Sequence, residues 1–231
     1  MKSRLQRLAY RRFNVSFSKS GDDIQLMKLL NQRSPGTYVD VGCWHPTLAS
    51  NTYYFSVRGW QGICIDPNPD LQAEYAKARP TDTFVRCGIG ATEADLKYYV
   101  LSDANSSMNT LDLEFLRAQG LESAIEKVID VPVRTLGDVL ERNLDSNLRL
   151  DFFDIDVEGL DLEVLTSNDW VRFRPTVVVV ETDLAIEDAL TSDISRYLQD
   201  LDYRLAAKSV MAGDVGNLFF LDNWTKRRHV R

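Results

Sequence analysis

Carboxylates and glycines recur where the apolar, strand-like runs of this sequence end. Four runs end in this way, with Asp40 and Gly42, with Asp66, with the segment 154–159 (DIDVEG) and with Glu181. In an open parallel sheet the carboxyl ends of the strands meet at one edge, where loops and helix N-termini converge on a ligand. Four such ends in one chain predict a ligand site that is lined with acids.

Asp66 stands where an acid can bind a ribose. A carboxylate at the end of the second strand can accept hydrogen bonds from two ribose hydroxyls, and Asn68 can add a contact to the same nucleoside. Gly42 allows the backbone of the first turn to approach the ligand closely. The turn sequence VDVGCWHPTLAS holds one glycine beside Trp44 and Pro46, so it lacks the three-glycine cradle of a pyrophosphate. A phosphate-free nucleoside therefore fits better than a dinucleotide.

Helix-like and strand-like segments alternate along the chain, which predicts an α/β protein with a mostly parallel sheet. Amphipathic spacing predicts helices over 22–32, 48–57, 71–78, 111–120, 135–142, 160–173 and 194–201. Apolar runs predict strands over 38–41, 62–66, 83–87, 96–101, 151–157 and 176–181, with 96–101 at a sheet edge. A C-terminal hairpin of 203–208 with 217–221 follows, and the polar stretch 102–109 is expected to form a loop over the site.

Size and charge limit the classes of protein that the chain can represent. Its 231 residues, 44% of them hydrophobic, suit one domain at 36–225, between a basic leader with a helix (1–35) and a basic tail (226–231). Nine of the 27 lysines and arginines lie within 1–13 and 226–231, so the 34 acids dominate the remainder. This argues against a nucleic-acid partner, because phosphate binding needs a continuous basic face. The basic ends predict at most a weak contact with an anionic surface.

Cysteine and histidine are too few for a histidine-rich metal site. Cys43, Cys64 and Cys87 fall at or near strand ends and are expected to be buried, reduced thiols. The only histidines are His45 and His229. No apolar run approaches the roughly 20 residues that span a bilayer. Because the N-terminus also lacks the apolar core of a secretion signal, a cytoplasmic location is expected.

The chain resembles the FkbM family of methyltransferases in four segments that keep the family's order and spacing over 36–182, namely YVDVGCWHP, GWQGICIDPNP, VRTLGDVL and DFFDIDVEGLDLEVL. The resemblance implies a Rossmann-like class I methyltransferase fold, with a mostly parallel seven-stranded sheet, helices on both faces and a C-terminal antiparallel hairpin. It also implies S-adenosylmethionine as cofactor and methylation of a sugar or polyketide hydroxyl. The chain departs from the family at His45 and Pro46, where many members have a further glycine, and at Asp154, where many have lysine.

By this resemblance the strand ends carry both cofactor and reaction residues. Asp40, Gly42 and Asp66 would bind the cofactor, while Asp156 and Glu158 would line the reaction site. The full set expected to contact the cofactor is Asp40, Gly42, Cys43, Asp66, Asn68, Gly88 and Asp156.

Methyl transfer to a hydroxyl needs a base, since such a hydroxyl is scarcely ionised at neutral pH. The candidates, in order, are Glu158, Asp156 and His45, and two adjacent carboxylates would raise one pKa toward a useful range. Asp154, Asp156 and Glu158 could alternatively hold magnesium, but no fourth ligand is identifiable and no metal is assigned. Structural roles stay open for three residues, since Asp66 could cap the turn after it, Glu158 the next helix, and His45 could stabilise a turn.

The sequence thus favours an O-methyltransferase that acts on a hydroxyl of a sugar, glycan or related metabolite. One alternative is a nicotinamide-dependent oxidoreductase, against which the poor glycine pattern and the lack of a Tyr-x-x-x-Lys pair argue. Another is a binding module that keeps the fold without turnover. The presence of Asp66, Asp156 and Glu158 together argues against such a loss of activity. The acceptor and the oligomeric state do not follow from the sequence.

Overall fold

A computed structural model of the chain describes residues 15–31, 35–145 and 148–223. Its helices are α1 (Asp22–Leu29), α2 (Tyr53–Ser56), α3 (Leu71–Ala78), α4 (Leu113–Ala118), α5 (Leu136–Asn143), α6 (Asp161–Thr166), α7 (Ile186–Ala189) and α8 (Asp193–Asp200). Its strands are β1 (Thr37–Val41), β2 (Gln61–Ile65), β3 (Thr83–Val85), β4 (Gly88–Ile89), β5 (Ala94–Leu101), β6 (Ile125–Arg134), β7 (Leu150–Ile155), β8 (Val177–Thr182), β9 (Tyr203–Lys208) and β10 (Gly216–Asp222). Two short 3-10 helices span Asp103–Met108 and Glu122–Ala124.

The described strands form a central seven-stranded sheet in the order β3-β2-β1-β7-β8-β10-β9. Parallel pairs join β1 to β2 and β7, β2 to β3, and β7 to β8. The last strand, β10, runs antiparallel to both β8 and β9. The predicted mostly parallel sheet and its C-terminal hairpin are thereby confirmed. Because the chain winds outward from β1 to β3 and then returns to β7 on the other side of β1, a crevice opens at the carboxyl ends of β1 and β7.

Side chains of the central strands alternate between two apolar layers, because successive residues of a strand point to opposite faces. Val39 and Phe153 belong to the layer under α5, α6 and α8. Tyr38 and Phe152 belong to the opposite layer, under α1, α2 and α3. The expected helices on both faces of the sheet are therefore present.

A second sheet of three strands, in the order β4-β6-β5, was not predicted. Strand β6 has the period-two pattern of Ile129, Val131 and Val133, but it also contains Pro132, a residue that is rare in central strands. The predicted strand 83–87 ends early at β3, and Gly88 then begins β4 of this second sheet. Strand β5 lies at its edge, as expected for 96–101. The predicted loop 102–109 contains the first 3-10 helix, which the second sheet supports.

Four predicted helices are shorter than expected. The helix predicted over 48–57 is only α2, because the preceding turn has positive φ at Trp44 (36°) and Ala49 (49°), which interrupts a helix. The helices predicted over 111–120 and 160–173 correspond to α4 and α6, while α7 was missed. The helix predicted over 22–32 ends early at Leu29, and residues 30 and 31 form a turn. The basic leader, the basic tail and residue 32 lie outside the described residues. Among the described residues, no helix combines the length and apolar character that crossing a bilayer requires.

Phe152 lies in the aromatic layer under α2, and its truncation is expected to destabilise the fold. Phe152 is fully buried, and its ring centroid lies 5.3 Å from that of Tyr38 and 4.6 Å from that of Phe55. Phe152→Ala is expected to lower the free energy of unfolding by about 3–5 kcal/mol, because truncation leaves a cavity in a packed core. Urea denaturation measures this loss. Val171→Ala, at a side chain that is 95% exposed, is the control and should stay within about 0.5 kcal/mol of the parent.

Candidate active site

Two cavities meet at the carboxyl ends of β1 and β7. The first has an empty volume of about 570 Å³ and extends past the end of β2 toward β4 and the 3-10 helix Asp103–Met108. The second, of about 520 Å³, lies between the turn after β1, the segment before α1 and the end of β7. Both are lined by Gly42, Trp44, Ser107, Asp156 and Glu158. A ligand longer than either cavity can therefore pass from one into the other.

Gly42 brings the turn after β1 against the end of β7. Its φ is +80°, and a Cβ placed on it would lie 1.7 Å from the backbone oxygen of Asp156. Backbone hydrogen bonds hold this approach, from Gly42 N to Ile65 O at 2.9 Å and from Asp156 N to Val41 O at 3.0 Å. Only glycine combines this conformation with this contact.

Asp66 lies almost completely buried in the first cavity, where backbone amides hold its carboxylate. Asn68 N donates to Oδ1 at 2.8 Å, and Trp44 N donates to Oδ2 at 3.1 Å. Burial raises the pKa of Asp66 to about 7, although these two hydrogen bonds lower it. Each carboxylate oxygen has a second lone pair, so Asp66 can still accept hydrogen bonds from a ligand.

A buried network of hydrogen bonds and ion pairs holds the carboxylate of Asp40, and the sequence did not predict this network. Thr52 Oγ1 donates to Asp40 Oδ2, and Arg79 Nη1 donates to Thr52 Oγ1 at 3.0 Å while lying 3.9 Å from the same carboxylate oxygen. Arg79 also pairs with Asp82 through a 2.6 Å contact. Burial raises the pKa of Asp40, and the Arg79 guanidinium opposes that change. No local pattern marks Arg79, because it reaches Asp40 only after α3 packs on the sheet.

Three carboxylates cluster at the ends of β7 and β8. Oxygen atoms of Asp156, Glu158 and Glu181 all lie within 4.8 Å of one another. Burial raises the pKa of Glu158 to about 8 and that of Glu181 to about 7, and repulsion within the cluster adds to both shifts. Burial and the nearby Glu181 hold the pKa of Asp156 well above its usual range. Within the described structure, Asp156 Oδ1 is buried and has no hydrogen-bond partner.

Asp154 lies apart from this cluster. Its Oδ1 accepts a hydrogen bond from Asn51 Nδ2 at 3.2 Å, and burial followed by the charge of Asp40 raises its pKa. Glu181 thus takes the place beside Asp156 and Glu158 that the sequence considered for Asp154. The three clustered residues offer oxygen ligands of the kind that a hard cation prefers. The sequence showed Glu181 only as an acid at the end of a strand.

His45 stabilises the turn after β1. Its Nδ1 accepts backbone hydrogen bonds from Thr47 N at 3.1 Å and Leu48 N at 2.9 Å. A neutral ring with an accepting Nδ1 carries its proton on Nε2. His45 lines the second cavity, and its Nδ1 is occupied by the two hydrogen bonds that shape the turn.

The other expected cofactor contacts are divided between the two cavities. Asn68 lines the first, where its Oδ1 accepts from Asp70 N at 3.0 Å. Gly88 also lines the first, and a Cβ placed on it would lie 2.7 Å from Leu111 Cδ1. Cys43 lines the second, and burial raises its pKa well above the usual thiol range. The sequence-predicted residues therefore surround one continuous site.

The 3-10 helix Asp103–Met108 covers the junction of the cavities. Trp44 Nε1 lies 3.4 Å from Ser106 Oγ, and Ser107 faces both cavities. Thr110 Oγ1 donates to the backbone oxygen of Glu158 at 3.0 Å. These contacts tie the second sheet to the end of β7.

The fold is that of a class I methyltransferase, with a mostly parallel seven-stranded sheet and a C-terminal antiparallel hairpin. The family model of the methyltransferase FkbM domain matches residues 36–205. The chain belongs to this family and is an S-adenosylmethionine-dependent methyltransferase.

Several solved structures are similar to the chain at low sequence identity. The O-methyltransferase TomG of Streptomyces achromogenes, solved with S-adenosylmethionine, is 14% identical with a TM-score of 0.48, covering 96% of this chain and 91% of TomG. An O-methyltransferase of Bacillus cereus, solved with S-adenosylhomocysteine, is 11% identical with a TM-score of 0.46, covering 96% and 93%. Precorrin-6y C5,15-methyltransferase of Geobacter metallireducens is 12% identical with a TM-score of 0.47, covering 87% and 88%. No curated protein matched the sequence significantly.

The contact between Gly42 and Asp156 can be separated from the backbone strain at Gly42. Gly59 has a similar φ of +86° with nothing within 4 Å of its Cβ position, so Gly59→Ala reports strain alone. Gly59→Ala is expected to cost about 1–2 kcal/mol, and Gly42→Ala about 3 kcal/mol or more because of the added clash. Urea denaturation gives both values, and calorimetry with S-adenosylhomocysteine should show lost affinity only for Gly42→Ala. Equal losses in the two variants would contradict the importance of the contact.

Proposed function

We propose that the protein transfers the methyl group of S-adenosylmethionine to a hydroxyl of a sugar, glycan or related small metabolite, with Glu158 as the base. The observation that carries this proposal is the position of Glu158. It is half-buried where the two cavities meet, beside Asp156 and Glu181, and its pKa is raised to about 8. A carboxylate whose pKa lies near the working pH is suited to take a proton from a hydroxyl.

The chemistry of the lining residues supports the placement of the cofactor. Asp66 and Asn68 would bind the ribose hydroxyls in the first cavity, and Gly88 would lie beside the adenine. The turn at Gly42 gives the cofactor a close backbone surface, and Oδ1 of Asp156 offers a carboxyl oxygen without a hydrogen-bond partner among the described residues at the junction. A cationic sulfonium is favoured there, because buried carboxylates stabilise a neighbouring positive charge.

S-adenosylmethionine, when bound, supplies a methyl group that is activated by the sulfonium. Glu158 would accept the proton of the acceptor hydroxyl, and the close Asp156 and Glu181 favour that protonation by their negative charge. The 3-10 helix Asp103–Met108 and Trp44 would exclude water, while Gly42 fixes the distance between the turn and β7. Polar groups of Ser107 and Asn51 lie within the cavities and can orient a neutral, hydroxylated acceptor.

The test of the proposed base is Glu158→Gln, assayed by transfer of labelled methyl to a panel of neutral hydroxylated acceptors. Its turnover is expected to fall by roughly 100-fold or more, because general-base assistance contributes about that much. The affinity for S-adenosylhomocysteine should stay within about threefold, since glutamine keeps the shape. Turnover of the parent should rise with pH through about 8, the pKa to which burial and the charges of Asp156 and Asp161 raise Glu158 against the opposing charge of Lys19.

Glu187→Gln, at an exposed position on α7, is the matched control and should retain the parent rate. Full activity of Glu158→Gln would remove Glu158 as the base. If the parent protein binds S-adenosylhomocysteine but transfers no methyl group to any acceptor of the panel, the result would favour a binding module.

The ribose assignment predicts a pH dependence of cofactor affinity. Asp66 must be ionised to accept from two hydroxyls, and its pKa is raised to about 7. Affinity for S-adenosylhomocysteine, measured by calorimetry, should therefore rise with pH up to about 7 and level off above it. Asp66→Asn should remove this rise and weaken binding at pH 8 by about 1–3 kcal/mol. A pH profile that is unchanged in Asp66→Asn would contradict the assignment.

The raised pKa of Asp66 makes the stability of the ligand-free protein fall with rising pH, whereas the cofactor affinity rises. The folded state holds a proton on Asp66 that the unfolded state has released, so this residue's contribution to the free energy of unfolding falls as pH rises from about 4 to about 7. In Asp66→Asn, urea denaturation should show a smaller fall over this pH range.

A further inference from the structure

The second cavity is unusual in the charge of its lining. Four carboxylates line it, those of Asp40, Asp154, Asp156 and Glu158. Among its described lining residues Lys19 is the one lysine or arginine. Lys19 lies before α1, outside the residues 36–205 that the family model matches.

The amino-acid end of S-adenosylmethionine has to be accommodated in this cavity if its adenosine lies beside Asp66. That end carries an ammonium and a carboxylate. Acids such as Asp40 and Asp154 suit the ammonium, but they repel the carboxylate. A carboxylate in a half-buried acidic cavity needs a charged donor, because a charge-assisted hydrogen bond compensates for its lost hydration.

The segment 15–21, which we term the strap, holds Lys19 at this cavity. The carboxylate of Asp23 accepts hydrogen bonds from Ser16 Oγ at 2.7 Å and from Phe17 N at 2.6 Å. On the other side of Lys19, Ser20 Oγ donates to the carboxylate of Asp22 at 2.6 Å. Both aspartates are buried at the start of α1. The strap is therefore anchored on each side of Lys19.

Two further contacts fix the strap on the body of the protein. The ring of Phe17 packs edge-on against that of Tyr53, with 4.9 Å between the centroids. Ser209 Oγ, which follows β9, donates to Asp22 Oδ1. The first contact joins the strap to α2, and the second joins Asp22, which anchors the strap at the start of α1, to the C-terminal hairpin.

We propose that Lys19 binds the α-carboxylate of S-adenosylmethionine, so that the strap completes the cofactor site from outside the family domain. The inference rests on the cofactor placement proposed above. Lys19 is also close enough to the junction of the cavities for its charge to lower the pKa values of Asp156, Glu158 and Glu181, against the larger effect of burial. Ligands that lack the α-carboxylate gain nothing from Lys19.

The test is a cycle that combines removal of the lysine charge with removal of the ligand carboxylate. Calorimetry measures the affinities of the parent, Lys19→Gln and Lys19→Arg for S-adenosylmethionine, S-adenosylhomocysteine, decarboxylated S-adenosylmethionine and 5′-methylthioadenosine. Lys19→Gln is expected to bind the first two about 10- to 100-fold more weakly, as for the loss of one charged hydrogen bond. Its affinity for the two ligands without the carboxylate should change by less than about threefold.

Lys28→Gln, at an exposed position on α1 outside both cavities, is the matched control and should bind all four ligands as the parent does. Lys19→Arg should recover most of the affinity for S-adenosylhomocysteine, because it keeps the charge. An equal loss for all four ligands in Lys19→Gln would overturn the proposal and assign Lys19 to the structure of the strap.

An unchanged affinity of Lys19→Gln for S-adenosylhomocysteine, with a parent that binds it, would overturn the role of Lys19 alone. A parent protein that binds neither S-adenosylhomocysteine nor S-adenosylmethionine would overturn the proposed function together with this inference. The two failures are thus distinguishable from the parent measurements.

Discussion

The close approach of Gly42 to the backbone oxygen of Asp156 is the constraint on which the site depends. It brings the turn after β1 against the end of β7, at the point where the winding of the sheet reverses. A side chain at this position would move the two strand ends apart and separate the cavities. A Cβ cannot be accommodated at this contact. The backbone of the two strand ends therefore sets the geometry of the junction.

Several carboxylates lie buried or half-buried around this junction, although burial disfavours their ionised form. Removing a carboxylate from water raises its pKa, and close carboxylates raise it further. The guanidinium of Arg79 compensates for the negative charge of Asp40. In contrast, Asp156, Glu158 and Glu181 face the cavities with raised pKa values. An incoming positive charge relieves both the repulsion and the lost hydration. The same groups therefore suit a cationic cofactor and, at Glu158, the acceptance of a proton.

The periodicity of the sequence predicted much of the fold, because strands buried on both faces form continuous apolar runs and their turns carry glycine or proline. It failed where local signals conflicted with tertiary contacts. Strand β6 contains Pro132 and was not predicted, and it is stabilised by pairing with β4 and β5. The apparent helix over 48–57 is shortened by the preceding turn, in which Trp44 and Ala49 have positive φ and His45 Nδ1 accepts two backbone hydrogen bonds.

The sequence by itself determined the strand ends, and with them the acids at Asp66, Asp156 and Glu158 and the glycine at position 42, because parallel strands place consecutive turns at one edge. Only the tertiary structure decided which side chains meet there. Glu181 rather than Asp154 joins the cluster, Arg79 supports Asp40, and Lys19 reaches the second cavity from a strap that precedes the family domain. These pairings join residues that are distant in the chain, so no local spacing encodes them, and they form only when helices and strap pack on the sheet.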